Sequence, residues 1–305
     1  MRKIVQSLFV LALALAGAGG RFVPAEAKGS RADEVVKQTR AAMGGEDKLR
    51  GVQSLSFKGK FRRVIQEREM SGEREFEFQL PDKFSKTESF LAGGSTVSIT
   101  SSQTLNGAEA WSSGRGGMII MRSDGKEPTK EEKERAEKAM TQRLRAEMAR
   151  YLLALFASPG GGFPVEFTYA GEATADDGSA EVLDAVGPDG FAVRLFIDKQ
   201  THLPLMLSYR TPKPRMFTMT APQGGKGGKS ADELVKEAQE KMKTDAAARP
   251  EEVEMQWRFS EYKQVGGLML PHRITSGQDG ETSDEFEIKT YSINPQFKAD
   301  KFQKK

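Results

Sequence analysis

From Val52 onward the hydrophobic positions of the chain recur with a period of two. Leu55, Phe57, Gly59 and Phe61 alternate with Ser56, Lys58, Lys60 and Arg62, as a strand with one dry face requires. Met70, Gly72, Phe76, Phe78 and Leu80 share one phase in the next run. Asn106-Gly107 is a hairpin signal leading to Trp111, and Gly187-Pro188-Asp189-Gly190 is a second turn that opens Phe191, Val193, Leu195 and Ile197. After Asp198-Lys199-Gln200-Thr201 the alternation resumes at Leu203, Leu205, Leu207 and Tyr209. The cleanest strand comes late: Val253, Met255, Trp257 and Phe259 alternate with Glu254, Gln256, Arg258 and Ser260. Phe286 and Ile288 belong to a last strand that ends near Asn294-Pro295. The pattern predicts roughly ten strands, with short links that suit antiparallel pairing.

Two helices break this rhythm. Ser30-Arg31-Ala32-Asp33 reads as a capping box that starts a short helix through about Met43, stopped by Gly44-Gly45. A long helix follows Pro128 and runs from Thr129 to about Ala157. Its Met140, Leu144, Met148, Tyr151, Leu152, Leu155 and Phe156 form one apolar stripe, widest at the C-terminal end, before Pro159 and three glycines stop it. Such a stripe needs a surface, and the dry face of the sheet is the candidate. The helix is then either a core helix packed on the sheet or a lid over an incompletely filled concave sheet. The expected class is α+β, a curved antiparallel sheet with this helix over its dry face, in a single domain over 28–305.

The N-terminus follows a different logic. Arg2 and Lys3 precede a mostly apolar run from Ile4 to Ala18, and Ala25-Glu26-Ala27 fits a small-residue cleavage site. Residues 1–27 are therefore expected to be a cleaved signal peptide, which places the mature protein in a periplasm-like compartment with no stable membrane span. The uninterrupted apolar stretch is too short for a comfortable bilayer crossing. Residues 213–250 differ again in texture, with Thr211-Pro212-Lys213-Pro214 at their edge, a Gly- and Lys-rich middle and a polar helical stretch around 232–243. They read as a flexible insertion between two strands.

Composition narrows the chemistry. The chain of 305 residues carries 46 Lys+Arg against 43 Asp+Glu, two His and no Cys. Absence of Cys excludes disulfides, thiol catalysis, Cys-based zinc sites and Cys-linked lipidation. Two His do not make a multi-histidine metal centre, and the near balance of charge gives no argument for nucleic acid. Gly228-Lys229-Ser230 looks like the end of a phosphate loop, but the required earlier glycine is Gln223. Ser123-x-x-Lys126 and Ser260-x-x-Lys263 match a short catalytic pattern without its companions. His202 and His272 each abut a Pro, and neither has a partner at metal-ligand spacing. The carboxylate pairs Glu131-Glu132 and Glu251-Glu252 read as solvated faces. No enzyme, cofactor or metal is expected. Arg63 and Arg74 are more informative, because both continue dry-face phases. An Arg there must find a carboxylate, carbonyls or a ligand. The simpler reading is that the strands leave the sheet or bulge at those positions.

The segments GGEDKLRGVQSLSFKGKF (44–61), NGAEAW (106–111), LFIDKQTHLPLMLSY (195–209), YKQVGGLMLPHRIT (262–275) and FEIKTYSINPQF (286–297) resemble periplasmic outer-membrane lipoprotein-sorting proteins, the LolA-like group. The resemblance implies an incomplete barrel whose concave face is capped by helices and receives acyl chains. Residues 211–250 depart from that pattern, and no family Arg aligns with Arg63. The expected function is an exported, non-catalytic carrier or sensor for a lipid-like apolar ligand, with lipoprotein acyl chains as one cargo. The expected lining is Phe57, Phe61, Phe76, Phe78, Met148, Leu152, Met255, Trp257 and Phe259, with Arg63 and Arg74 as polar contacts. Expected partners are a lipid or acylated protein and other envelope proteins. The alternative is a structural or protein–protein interaction module of the cell envelope with a filled core.

Overall fold

The computed structural model describes residues 25–65, 68–91, 98–114, 129–158, 160, 162–175, 178–213 and 251–304. Most of the expected signal peptide and nearly all of the 213–250 insertion, with its Gly228-Lys229-Ser230 sequence, lie outside them, as do Ser123 and Lys126. The described residues form a single antiparallel sheet of twelve strands with three α-helices. Strands β1 (Ser54–Ile65), β2 (Arg68–Gln79), β3 (Lys83–Leu91), β4 (Ser98–Asn106) and β5 (Glu109–Gly114) form one meander. Strands β6 (Glu166–Ala175), β7 (Gly178–Val186), β8 (Ala192–Asp198), β9 (Pro204–Pro212), β10 (Glu252–Val265), β11 (Leu268–Gln278) and β12 (Glu281–Ile293) form the second. The pairing of β1 with β12 joins them, and β5 and β6 are left as unpaired edges, so the barrel is not closed.

The expected alternation sets which face is dry. Leu55, Phe57 and Phe61 on β1 are buried, and Phe57 lies opposite Phe76 of β2 and Tyr291 of β12. Between Lys58 and Gly59 the register to β12 slips by one residue. A Cβ at Gly59 would stand 1.9 Å from the carbonyl oxygen of Glu287, so only glycine permits this close approach. An irregularity of this kind bends a strand and helps curve the sheet. Leu205 departs from the expected phase and is 40% exposed. The cause is another slip: Phe196 pairs with Met206 and Ile197 with Pro204, which leaves Leu205 as the extra residue of a bulge.

Helix α1 spans Ala25–Ala42, α2 Glu46–Arg50 and α3 Lys130–Phe156. The capping box expected at Ser30 is not an N-cap, because α1 already runs through that position; Ala25 and Ala27 are strong helix formers that extend it backwards. The start of α3 is where the sequence put it. The Thr129 hydroxyl accepts from the Glu132 backbone N–H, and the Glu132 carboxylate accepts from the Thr129 N–H at 2.8 Å. Glu132 is thus a capping residue, not merely a solvated one. Ala157 ends the helix in the left-handed region, its N–H bonded to the Leu153 carbonyl at 2.9 Å.

The C-terminal half of α3 supplies the wide end of the stripe, where Met148, Tyr151, Leu152, Leu155 and Phe156 are buried against the concave face. Ala32 and Val35 of α1 and Met43 just beyond it join the same cluster. A smaller cluster of Ala180, Val182, Phe196 and Met206 is separate from it. The strands flanking the insertion stay paired up to its mouth: Pro212 is opposite Glu252, and the Lys213 N–H reaches the Glu251 carbonyl at 2.8 Å. No described helix is long and apolar enough to cross a membrane.

Candidate functional site

The concave face collects most of the residues expected to line it. Phe57 and Phe61 come from β1, Phe76 and Phe78 from β2, and Trp257 and Phe259 from β10, all buried. Met148 and Leu152 face them from α3, also buried. Met255 lies at the start of the same β10 face but is only half-buried and outside the packed cluster. At the centre sits Tyr151, whose ring centroid is 4.6 Å from Phe76, 4.6 Å from Trp257 and 6.0 Å from Phe57. Phe78 and Phe84 complete a cup around it at 6.2 and 6.4 Å. These are contact distances for aromatic pairs, so the helix plugs the cup with a ring. Burial raises the Tyr151 phenol well above its ordinary pKa, with Glu147 adding to the shift, and the ring is neutral at physiological pH.

To one side of the plug lies a buried ion network. Arg74 binds Asp284 with both terminal nitrogens at 2.8 Å and directs Nε to Glu88 at 2.7 Å. Arg63 gives Nε to the same Asp284 at 2.6 Å and Nη2 to Glu88 at 2.9 Å. The Arg74 guanidinium also lies over the rings of Phe61 and Phe286, 4.6 and 5.2 Å from their centroids. Burial by itself raises the pKa of Asp284, but the hydrogen bonds and charges of Arg74 and Arg63 outweigh it and hold the carboxyl below its usual range. Glu88 behaves alike: burial raises it, and Lys86, Arg74 and Arg63 together bring it down. The strands therefore do not leave the sheet at Arg63 and Arg74. Arg63 stays opposite Met70 and Arg74 opposite Gly59 in an unbroken register, because carboxylates in matching dry-face phase neutralise them.

Polar contacts tie α3 down around its margins. Lys86 of β3 pairs with Glu147 at 3.2 Å. Arg145 donates Nη2 to the Gly107 carbonyl in the β4–β5 turn at 2.9 Å, and Arg40 donates to the Phe156 carbonyl at 2.9 Å. On the far side of the plug, Arg150 stacks on Tyr209, its guanidinium carbon 3.7 Å from the ring centroid.

The structure brings together the aromatic residues and the two Arg that were expected to be functional. His272 stands apart, its Nδ1 3.2 Å from the Leu270 carbonyl and its ring against Tyr291. Sequence reasoning passed over Phe84, Phe286, Glu88, Asp284 and the plugging role of Tyr151. The signal existed: Glu88 is in phase with Phe84, and Asp284 with Phe286 and Ile288. Applied to acids as it was to Arg63 and Arg74, the phase test marks both as dry-face acids, without saying which Arg each one meets.

No family model matches the chain, and no curated protein matches it. Among solved structures, it is similar to a domain from Vibrio parahaemolyticus provisionally named an outer membrane lipoprotein-sorting protein, with 10% identity and a TM-score of 0.47 over 90% of this chain and 97% of that one. A LolA superfamily protein from Nitrosomonas europaea matches at 10% identity and a TM-score of 0.43, over 90% of this chain and 97% of that one. A DUF1329 family protein from Desulfovibrio piger matches at 9% identity and a TM-score of 0.40, over 89% and 97%. The first two descriptions name the group that the sequence segments resemble, at a distance.

Proposed function

We propose that this protein is an exported, non-catalytic carrier or sensor that holds a lipid-like apolar ligand between α3 and the concave face of the sheet. The acyl chain of a lipid or of an acylated protein fits such a site, and the compartment that the N-terminal pattern suggests is the periplasm. The observation that carries this reading is the aromatic cup closed by a single ring from α3, that of Tyr151. Tyr151 fills it from a helix whose margins are held by an ion pair and by contacts to backbone carbonyls, where apolar packing alone does not fix it.

Magnitudes agree with reversible binding. Burying an acyl chain of about fourteen methylenes yields roughly 11 kcal/mol gross, at ~0.8 kcal/mol per group. Displacing one aromatic ring costs about 2–3 kcal/mol of that, and association costs on the order of 4–15 kcal/mol more. Native mass spectrometry and lipid extraction of protein purified from its own host test the reading. Bound lipid is the expected result. Clean ligand-free protein that takes up no fluorescent fatty acid overturns it.

A second reading has one specific observation behind it. The rings around Tyr151 are already in contact, as in the filled core of an envelope structural or protein–protein interaction module. That reading expects no ligand and a partner protein on the outer surface, and the same extraction separates the two.

A further inference from the structure

We propose that Arg150 is the docking point for the anionic head of a single-chain amphiphile whose tail replaces Tyr151 in the aromatic cup. The inference rests on the carrier reading above and adds the ligand's head-group class to it.

Arg150 is the neighbour of Tyr151 on α3, and its guanidinium is wedged over Tyr209 of β9 at 3.7 Å and near Phe191 at 5.7 Å. Its Nε is fully buried and has no hydrogen-bond partner. Glu147, one helical turn back, acts on Arg150 through its charge but makes no hydrogen bond to it and is paired with Lys86 at 3.2 Å. Stacking on a ring returns only part of what a half-buried cation loses, because the Nε–H of the guanidinium still lacks an acceptor. Burial accordingly lowers the Arg150 pKa, with Tyr209 and Glu147 only partly restoring it, yet an Arg remains charged at neutral pH. Arg74, across the plug, shows what satisfaction looks like: three of its nitrogens are on carboxylates.

A cation held in this way is suited to an oxyanion that arrives from outside. A carboxylate or phosphate head brings the missing acceptors and the missing charge together, in the planar two-bond geometry that a guanidinium prefers. The position suits a bound chain as well. A tail lying in the cup starts beside the residue that vacates it, and the next residue along the helix is the cation.

The test measures binding of laurate, dodecyl phosphate and dodecanol, which share one tail, by calorimetry to the mature protein and to Arg150→Met and Arg150→Lys. Wild type is expected to bind laurate at least about tenfold more tightly than dodecanol. Arg150→Met is expected to bind both at the dodecanol level, and Arg150→Lys to recover part of the preference. Tighter binding of dodecyl phosphate than of laurate supports the same site with a phosphate-headed ligand. Equal affinity for laurate and dodecanol in wild type, or a preference that survives Arg150→Met, overturns the assignment and leaves the carrier reading standing. Failure of wild type to bind any of the three chains overturns both.

Discussion

Two guanidiniums flank the same aromatic plug and live by opposite rules. Arg74 stands on a strand amid Asp284, Glu88 and Arg63, with three nitrogens bonded and two rings beneath it. Arg150 stands on the helix, with a ring beneath it, a buried Nε unbonded and no ion pair to a carboxylate among the described residues. Burial penalises both, but only Arg74 is returned above its ordinary pKa by its partners, whereas Arg150 is left below. A buried cation that is fully paired holds strands in register; one that is not paired is a standing invitation to an anion. The same residue type therefore reads as structure on one side of Tyr151 and as recognition on the other.

The largest effect should come from breaking the paired side. Arg74→Met leaves Asp284 buried beside a single remaining Arg, and the loss of one partner from a buried network costs about 3–5 kcal/mol. Urea unfolding should show this as a lower midpoint with an unchanged slope; a loss below about 1 kcal/mol would mean that the network carries no register.

The plug itself comes next. Tyr151→Leu removes a ring from the cup and should cost on the order of 2 kcal/mol, while uptake of a fluorescent fatty acid rises because less has to be displaced. A variant that is destabilised but takes up no more probe argues for the filled-core reading.

Acid separates the two sides without mutation. Asp284 and Glu88 have folded-state pKa values below their unfolded ones, so their contribution is complete above the unfolded values, roughly 3.9 and 4.3, and is lost as pH falls through the lower folded values. Stability should therefore decline below about pH 4, and Arg74→Met should flatten that decline. Arg150→Met should leave the part of the decline that comes from Asp284 and Glu88 in place, since Arg150 acts on neither acid. It should touch only the smaller share of Glu147, whose carboxyl burial raises and Lys86 and Arg143 hold down ahead of Arg150.

The smallest effect on stability is expected at the unpaired side. Arg150→Met removes a half-buried charge without orphaning a carboxylate, since Glu147 keeps Lys86, so stability should fall by less than about 1 kcal/mol or rise. A loss comparable with that of Arg74→Met would show that stacking on Tyr209 is structural.

The alternation of Leu55, Phe57 and Phe61, the phase of Phe76 and Phe78, and the stripe from Leu144 to Phe156 were sufficient to predict a curved antiparallel sheet with a long helix on its dry face. These patterns are local, and a period of two or of 3.6 records which side of an element is kept from water. The cap at Thr129 is equally local, with its partner Glu132 three residues away, although reading Glu132 as a solvated acid passed over it. What depended on distance in the chain was hidden. Asp284 meets Arg74 across 210 residues, and no sequence pattern says which acid will arrive beside which base. The bulge that turns Leu205 outward comes from strand register, a property of two strands and not of one. Arg150 lies one position outside the apolar stripe, and its place in the sequence gives it no distinction. Only the curvature of the sheet, which brings Tyr209 up against the flank of the helix, decides that this charge lies half-buried on a ring with its Nε enclosed and unbonded.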